Sequence, residues 1–370
     1  MSNDSLYLHC LGKTPGIGAE KLRRLRAHFG TFEASWHSDH QELLTIGFSS
    51  RLADSFQQTR KKIHIQQEQE ILDRHNIHLV SLDHPDYPEL LTEIPNPPEL
   101  LYFRGNAHPN QFPLITIVGT RKPTKYGSSI AKEFARELAK SGFSIVSGMA
   151  FGIDREAHIG TLETKNPTLA ILGNGLDDTC ISPQAHLGLA QSIIASGGAL
   201  ISDYPPGTSA STGTFPARNR IMAGMTLGTL VIESTQKSGT FITANLALEY
   251  NREVFAVPGS IYSEYSRGPH ELIRRGAMLA GSVADILGAL PIVKYRASSI
   301  ETISTKNSNL SQDETILLKE LGSETLHIDK LVKLSTLGTS TVLSTISFLE
   351  MKGLVKNVGN MHYIRTYTIQ

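Results

Sequence analysis

The middle of the chain alternates between short apolar runs and segments with a helical hydrophobic period. Residues 114–118 form a mostly apolar run, and in the segment after it Ile130, Phe134 and Leu138 are spaced to share one helical face. A second apolar run covers residues 143–146 and is followed by small residues that open another helical segment. This order predicts a strand–helix–strand unit whose two strands lie parallel in one sheet.

The same alternation continues to residue 257. Further strands are predicted at residues 167–172, 198–202, 229–232 and 253–257, with helices at 187–195, 218–227 and 240–250. Most of these strands are continuously apolar, which is typical of strands buried on both faces. We therefore expect an α/β fold built on an extended Rossmann-like, doubly wound parallel sheet of six or seven strands.

The region before the sheet has a different pattern. Residues 1–75 are expected to form a helical domain of the SAM-like or helix-hairpin-helix-like kind, because glycine turns at residues 15–18 and 44–47 each precede a helical segment. Such turns either present backbone N–H groups to a DNA phosphate or only connect helices tightly, and the sequence leaves both interpretations open. Residues 76–113 contain a possible strand at 77–81 and then many prolines, which favour an extended segment over a helix.

The end of the chain predicts a smaller domain of the winged-helix-like kind. Three helical stretches start near residues 311, 327 and 339, and a hairpin is expected around Gly359 and Asn360. The third helical stretch has no arginine, although helices that read DNA usually bring basic residues to phosphates and bases. We therefore favour a partner-binding or packing role for this domain.

These patterns divide the chain into three domains and a linker. The division is an N-terminal helical domain at residues 1–75, the sheet domain at 76–291, a linker rich in serine and threonine at 292–310, and the winged-helix-like domain at 311–370.

Composition narrows the classes of function. The formal net charge of the 370 residues is zero, so no broad positive field attracts nucleic acid from a distance and any phosphate site must be local. Cys10 and Cys180 match no metal-ligand spacing and indicate no disulfide framework. The first residues do not resemble a signal peptide, and no apolar run is long enough to span a membrane. We expect a soluble, cytoplasmic protein without a bound metal or cofactor.

Small residues follow the predicted strands and indicate where a ligand would lie. Gly119 and Thr120 follow the first strand of the parallel unit, and Ser147 and Gly148 follow the second. In doubly wound sheets, ligands bind outside the carboxyl ends of the strands, and helix N-termini there favour anions. The chain has no Walker A pattern, and its first loop is not G-x-G-x-x-G, so a P-loop NTPase and a dinucleotide coenzyme are both disfavoured.

Phe215, Arg218 and Arg220 lie at the end of the longest loop of the predicted sheet. Arginines at a helix start oppose the helix macrodipole, and an anionic ligand would offset that cost. An aromatic ring beside them suits a chain of bases and phosphates. In the alternative interpretation, Phe215 fills a gap in the core and Arg218 pairs with an acidic residue such as Asp203 or Asp154.

The loop at residues 233–240 adds a further anion site at the same edge. Lys237 supplies charge, while Ser238, Gly239 and Thr240 offer hydroxyl and backbone N–H groups at a helix start. Because four such loops converge on one edge of the sheet, together they are stronger evidence than any one of them.

Three ionisable residues near these loops are assigned structural roles. Asp154 is interpreted as the N-cap of the helix after the second strand, and His158, one turn later, as a structural histidine. Glu233 follows a buried strand, and we expect it to fix Lys237 or an arginine rather than to perform chemistry.

Together, the motifs of these loops resemble those of the DNA-processing protein A (DprA/Smf) family. The motifs are Gly119-Thr120-Arg121 with Tyr126-Gly127, Ser147-Gly148-Met149-Ala150-x-Gly152-Ile153-Asp154, Phe215-Pro216-x-Arg218-Asn219-Arg220, Ser238-Gly239-Thr240 and Val257-Pro258-Gly259. They occur in the family's order between about residues 76 and 290. Terminal helical and winged-helix-like domains also occur in many members of the family.

The resemblance implies a protein without a catalytic step or cofactor that binds single-stranded DNA during natural transformation. Such proteins protect incoming strands, load the RecA recombinase in place of single-strand-binding protein, and usually act as homodimers. The surfaces for the second copy and for RecA would lie around residues 272–279.

The resemblance also assigns roles to individual residues. It implies phosphate contacts for Arg121, Arg218, Arg220 and Lys237, base stacking for Phe215, a backbone lining from Gly119, Thr120, Ser147, Gly148, Ser238, Gly239 and Thr240, and places for Tyr126, Gly127, Met149 and Asn219 in the same DNA-binding site.

Two positions depart from the family pattern, the milder of them being Asp203 in place of the usual acidic residue after the fourth strand. Besides an enzyme, a pure scaffold whose sheet pocket is vestigial also stays open. Members often have a basic or polar residue after Tyr-Pro, where this chain has Ser182-Pro183-Gln184, which places a positive contact in that loop in question. The alternative function is a phosphoribohydrolase-like, nucleotide-processing enzyme on the same fold, with Glu233 as its acid. No second acidic partner for Glu233 stands out in the sequence, and the aromatic ring with two arginines suits a polymer better than a monophosphate.

Overall fold

A computed structural model describes residues 3–164, 166–236, 238–290, 311–321, 326–351, 354–359 and 361–365. The chain forms two compact units, Met1–Tyr295 and Arg296–Gln370. The predicted linker at 292–310 and the candidate site residue Lys237 lie outside the described residues. In the described ranges, we find no helix with the length and apolar character needed to cross a membrane.

The first unit begins with six helices, which confirms the helical prediction for this region. They are α1 Asn3–Gly12, α2 Ala19–Phe29, α3 Phe32–His37, α4 His40–Thr45, α5 Ser50–Lys62 and α6 Ile65–Arg74. Side-chain caps start three of them, because the oxygens of Thr31, Asp39 and Ser49 accept backbone N–H groups of the first turn. The apolar faces of these helices share one core with Ile193 and Leu200 of the sheet region, so helices and sheet bury each other.

A nine-stranded sheet forms the centre of the first unit. Its strands are β1 Ile77–Ser81, β2 Leu100–Gly105, β3 Leu114–Val118, β4 Ser144–Ser147, β5 Thr168–Ile171, β6 Ala199–Ser202, β7 Gly228–Val231, β8 Glu253–Ala256 and β9 Met278–Leu279. Their spatial order is β1-β2-β6-β5-β4-β3-β7-β8-β9. The seven strands from β3 to β9 pair in parallel, and β1 and β2 add antiparallel at one edge. The predicted fold class is confirmed.

Helices cover both faces of this sheet. They are α7 Lys125–Lys140, α8 Ile153–Leu162, α9 Leu187–Ala195, α10 Thr214–Gly224, α11 Gly239–Glu249, α12 Arg267–Arg274 and α13 Val283–Ala289. Apolar residues of α7, α8 and α13 share one core cluster, and those of α10, α11 and α12 share another. Helix α10 starts four residues before the predicted residue 218, because Pro216 lies in its first turn, where a missing N–H costs no hydrogen bond.

The strand order creates a switch point between β3 and β7. From β3 the chain first adds β4, β5 and β6 on one side, and later adds β7, β8 and β9 on the other. At such a point the loops that leave neighbouring strands run to opposite faces of the sheet, and doubly wound folds bind ligands in the crevice between them. The loops after β3 and β7 are therefore where a ligand site is expected.

The second unit is a small domain of three helices and a three-stranded sheet. Its elements are α14 Gln312–Leu321, β10 Leu326–His327, α15 Ile328–Ser335, α16 Thr339–Met351, β11 Val355–Gly359 and β12 His362–Arg365. The hairpin of β11 and β12 is antiparallel, and β10 pairs with β12. Leu317, Leu331 and Ile346 lie in its core. This arrangement confirms the winged-helix prediction.

Candidate nucleic-acid interface

The loops after β3 and β4 are joined through their backbones. The N–H of Ile153 donates to the carbonyl oxygen of Thr120 at 3.2 Å. Gly152 has φ of 79°, and a Cβ at this position would lie 2.4 Å from the same oxygen. Gly119 is equally confined, because a Cβ there would lie 2.5 Å from Ile153. These two glycines are needed because neighbouring loops pass each other without room for a side chain.

Glu233 joins the loop after β7 to the loop after β3. Its backbone oxygen accepts the N–H of Thr120 at 2.7 Å, and its carboxylate accepts both the N–H of Thr124 at 2.9 Å and its hydroxyl at 2.6 Å. Gly127 leaves room for this carboxylate, since a Cβ there would lie 2.2 Å from it. Thr124 in turn caps α7 by accepting the N–H of Gly127. Glu233 thus binds Thr124 and, among the described residues, pairs with no arginine, while its other expected partner, Lys237, lies outside the described residues.

Arg218 is buried, with 4% of its surface exposed. Its guanidinium donates to the carbonyl oxygens of Gly148, at 2.8 Å, and of Ile171, and its Nε donates to the side chain of Asn219 at 3.2 Å. Burial lowers the pKa of Arg218 to about 10, against the opposing effect of Asp154, so Arg218 stays charged at neutral pH. These contacts show that the buried guanidinium supports the loops through strand-end carbonyls, and the phosphate contact of Arg218 stays a prediction.

Asp154 fixes the loop after β4 from below. Its carboxylate accepts the N–H groups of Gly148 at 3.1 Å and Ala150 at 3.4 Å. Burial raises the pKa of Asp154, while the charge of Arg218 and the two N–H groups act to lower it. The predicted N-cap role is wrong, because Gly152 occupies the N-cap position of α8 and Asp154 lies within the first turn.

The interior beneath this loop holds two histidines. His158 is fully buried with its Nδ1 2.8 Å from the hydroxyl of Thr168, and burial, helped by nearby positive charge, lowers its pKa to about 3. His186 binds the carbonyl oxygen of Met149 through Nδ1 at 2.8 Å. Met149 has φ of 55°, a strained value for a residue with a side chain, and these contacts hold it there.

Arg121 and Phe215 form the exposed part of the site. The guanidinium of Arg121 lies over the ring of Phe215, 5.4 Å from its centroid, in a cation–π contact. Arg121 is exposed and Phe215 is half-buried, and among the described residues Arg121 has no ion pair. Lys122 and Lys125 are exposed beside it. The loop after β3 and the start of α10 therefore present a cation, a ring and further positive charge to solvent.

Arg220 does not join this group. It donates to the carboxylate of Asp203 and to the carbonyl oxygen of Asn96, each at 2.6 Å, and so connects α10 to the proline-rich segment and the end of β6. Its charge is compensated by Asp203, and the phosphate contact of Arg220 stays a prediction. Of the two carboxylates considered for Arg218, Asp154 acts on it through its charge without a salt bridge, and Asp203 pairs with Arg220 instead.

The remaining candidates divide into lining and capping residues. Tyr126 is 49% exposed, and its hydroxyl donates to the carbonyl oxygen of Pro258 at 3.1 Å. Ser147 is buried and donates to the carbonyl oxygen of Ile117 at 2.7 Å. Ser238 caps α11, where its hydroxyl oxygen accepts the N–H of Thr240 at 3.1 Å. Gly239 is exposed at the same helix start.

Sequence reasoning missed Phe151, which is 49% exposed in the loop after β4. A large aromatic residue in a loop otherwise made of small residues was the available signal. It also missed the reason for Gly173 and Gly175. A Cβ at Gly173 would lie 2.8 Å from the backbone oxygen of Thr214, the first residue of α10, and a Cβ at Gly175 would lie 2.8 Å from that of Pro205 in the loop before it, so these glycines let the start of α10 and its loop approach the segment after β5.

The site is an exposed edge of the sheet, and two cavities of the first unit lie away from it. Two cavities of about 400 and 490 Å³ are lined by residues of β1, β2 and their neighbours, among them His78, Gly105 and Asn106. In the part of the chain that the structure describes, no cluster of three histidine, cysteine or acidic residues is placed to hold a metal ion.

Two family models match the chain. The model described as DNA recombination-mediator protein A matches residues 78–291, which contain every loop of the site, and the model described as DprA winged helix domain matches residues 304–360.

Several known proteins are similar to this chain. The protein Smf of Synechocystis sp. is 33% identical over 98% of this chain and 99% of its own length. The DNA processing protein DprA of Bacillus subtilis is 38% identical over 58% of this chain and 72% of its own length.

Two solved structures share the fold. The X-ray structure of DNA processing protein A from Streptococcus pneumoniae matches with a TM-score of 0.67 and 30% identity, over 78% of this chain and 99% of that one. The structure of DNA processing protein A from Helicobacter pylori, whose description concerns its single-stranded DNA binding mode, matches with a TM-score of 0.52 and 29% identity, over 59% and 96%. With these matches over the fold and the site, the chain belongs to the DNA recombination-mediator protein A (DprA/Smf) family.

Proposed function

We propose that this protein binds single-stranded DNA, without sequence preference, along the edge formed by the loops after β3, β4 and β7 and the start of α10. It acts in the cytoplasm as a recombination mediator that protects incoming strands and hands them to the RecA recombinase. The proposal includes no chemical step. Glu233, the acid of the alternative hydrolase, has both carboxylate oxygens engaged by Thr124.

The observation that carries the proposal is the contact of the exposed Arg121 with the half-buried ring of Phe215. A base can stack on an aromatic face whatever its identity, and an adjacent guanidinium can bind the phosphate that follows. A duplex hides the faces of its bases, so the same pair favours single strands. Because the net charge of the chain is zero, this local group has to supply the attraction.

The relatives support the same function. The Helicobacter pylori protein with a similar fold is described by its single-stranded DNA binding mode, and it shares the sheet domain in which Arg121 and Phe215 lie. Arg218 has a structural role in the proposed site. Its hydrogen bonds to carbonyl oxygens connect the start of α10 to the loop after β4 and to the end of β5.

The homodimer and the contact with RecA are proposed for the far edge of the sheet. The predicted surface at residues 272–279 contains both Leu272, which is buried at 1% exposed, and Leu279, which is 52% exposed on β9. Strand β9 is the last strand of the sheet, and a free edge strand with an apolar residue is suited to pairing with another chain. Leu279 is therefore the residue of this range that we assign to a partner contact.

The central experiment is a titration of fluorescently labelled oligothymidine and of a labelled duplex with the wild type and with Phe215→Ala. We expect the wild type to prefer the single strand and Phe215→Ala to lose about 1–3 kcal/mol of binding free energy, the range of one stacked base. Tyr262→Ala is the matched control, because Tyr262 is an aromatic residue that is 92% exposed outside the site.

Unchanged affinity in Phe215→Ala, with its fold intact by circular dichroism, would refute the assignment of this edge. The mediator role is tested by RecA filament formation on strands coated with single-strand-binding protein. The wild type should accelerate filament formation and Phe215→Ala should not, while Leu279→Asp should retain DNA binding and lose the acceleration.

A further inference from the structure

We propose that Phe151 is a second base-stacking residue, which extends the bound strand from Phe215 across Arg121 to the loop after β4. This inference rests on the proposed function and adds a contact that the motif comparison did not assign. Phe151 occupies the variable position in the segment Gly148-Met149-Ala150-x-Gly152. A single exposed aromatic residue is ordinary on protein surfaces, so its exposure alone assigns nothing, and the argument depends on how it is held and on what surrounds it.

The ring of Phe151 is held in place although half of it faces solvent. It packs edge-to-face on the ring of His186, with 4.8 Å between the centroids and 67° between the planes. His186 is itself buried and fixed by its hydrogen bond to the carbonyl oxygen of Met149. The backbone on either side has positive φ, at Met149 and at Gly152, which sets the direction in which Phe151 leaves the loop. A base that stacks on such a ring loses little additional side-chain entropy.

The loop that carries Phe151 touches the loop that carries Arg121. A Cβ on Gly152, the next residue, would lie 2.8 Å from the carbonyl carbon of Arg121 and 2.7 Å from the ring of Pro123. Arg121 reaches Phe215 on its other side through the cation–π contact. Arg121 therefore lies on a loop that contacts the loop of the exposed ring of Phe151, while its own side chain contacts the half-buried ring of Phe215. Two bases with the phosphate between them are the ligand that this arrangement fits.

The charges around Phe151 favour a polyanion over an apolar partner. The exposed side chains of the adjoining loop are Arg121, Lys122 and Lys125. The nearest carboxylate in sequence, Asp154, is buried and binds N–H groups of its own loop, and Glu156 is paired with Arg155 at 2.5 Å. An exposed apolar ring next to uncompensated positive charge matches the alternation of base and phosphate in a single strand.

The first test is an affinity series for labelled oligothymidine with Phe151→Ala, Phe151→Leu and Phe151→Tyr. Stacking predicts that Phe151→Ala and Phe151→Leu each weaken binding by about 5- to 150-fold, because leucine keeps the apolar volume and lacks the flat face. Phe151→Tyr keeps the face and should retain wild-type affinity. Equal affinity in all three variants would overturn the inference.

The second test reads the contact directly. The chain has a single tryptophan, Trp36, which is 4% exposed in the N-terminal helices, so a new tryptophan at the site dominates the change in fluorescence on binding. Unlabelled oligothymidine should quench Phe151→Trp and should leave Tyr262→Trp, at the 92% exposed control position, unchanged. Absence of quenching while a labelled strand binds the same variant would show that no base stacks on residue 151.

The two proposals fail separately. If Phe215→Ala weakens binding and the Phe151 variants do not, the proposed function stands and the second stacking contact is wrong. If the wild type does not bind oligothymidine at all, both proposals are wrong.

Discussion

Two groups of charged residues in the first unit are stabilised by the same kind of electrostatic interaction but have different roles. At the carboxyl ends of the strands, Arg218 and Asp154 lie under loops whose outer surface carries Arg121 and Phe215. Between the N-terminal helices and β2, Glu68 is 8% exposed and accepts hydrogen bonds from His9 at 3.0 Å and Lys13 at 2.6 Å. Each group pairs charges that could not be buried alone.

The second group is closed. Burial lowers the pKa of His9 and so favours the neutral ring, whose Nε2 lies 3.0 Å from the carboxylate of Glu68 and whose Nδ1 lies 2.8 Å from the hydroxyl of Tyr102. Burial acts to raise the pKa of Glu68, but the hydrogen bonds from His9 and Lys13 outweigh it and hold the pKa at about 2. The hydrogen bonds of His9 and Glu68 thus connect α1 and α6 to Tyr102 of β2.

The first group, Arg218 and Asp154, is buried, but the loops that it supports face solvent. Its buried members bind N–H groups and a carbonyl oxygen of the loop after β4 and the carbonyl oxygen at the end of β5, and the loops above them carry Arg121, Phe151 and Phe215. A buried charge by itself therefore does not indicate that the residue contacts a ligand. At the carboxyl ends of the strands the buried arginine positions the surface that we assign to DNA, whereas at the helix–sheet junction the buried glutamate only holds structure together.

The largest expected effect is at Arg218 and distinguishes a structural role of this residue from a direct contact with DNA. Arg218→Met leaves Asp154 buried without its partner, so the free energy of unfolding should fall by about 3–5 kcal/mol in urea denaturation. Arg218→Met with Asp154→Asn should recover part of that loss, because asparagine keeps an oxygen for the N–H of Gly148 without the charge. A variant of unchanged stability that loses DNA binding would instead make Arg218 a direct contact.

An intermediate effect is expected at Glu68. Glu68→Gln removes charge-assisted hydrogen bonds and should lower the free energy of unfolding at pH 7 by about 1.5–3 kcal/mol, with affinity for oligothymidine unchanged. Because the folded-state pKa is depressed, the contribution of Glu68 is fully present above about pH 4.5 and is lost as the pH falls towards about 2. The difference between wild type and variant should therefore shrink over that range, and a difference independent of pH would contradict the assignment.

The smallest expected effect on folding is at Arg121. Arg121→Ala should leave the free energy of unfolding within about 0.5 kcal/mol of the wild type, because the side chain is exposed. It should weaken binding and reduce the slope of log affinity against log salt by about 0.7, the value for one phosphate of a single strand. Arg51→Ala, an exposed arginine on α5, is the matched control and should leave the slope unchanged.

The sequence was sufficient for the elements because their periods are local. The apolar run at 114–118 and the spacing of Phe134 and Leu138 specify a buried strand and the inner face of α7 without any knowledge of neighbours. The start of α10 was placed too late, because a proline in the first turn looks the same in sequence as a proline that ends a loop.

The roles of individual arginines could not be predicted in the same way. The three arginines all lie just after a strand or near the start of a helix, and the neighbouring sequence does not distinguish the roles of Arg121, Arg218 and Arg220. Their roles depend on which strand ends are neighbours, since Arg218 reaches carbonyls at the ends of both β4 and β5. That order of strands is a property of the whole sheet.

The hydrogen bond from the N–H of Thr120 to the backbone oxygen of Glu233 spans the switch point of the sheet. An open slot there would suit a mononucleotide or the terminus of a strand, which can enter from one side. Because this hydrogen bond closes the gap, the same strand ends form a continuous surface along which a polymer can lie. For such a surface we expect equal affinity for closed circular and linear single strands, because binding requires no free end of the DNA.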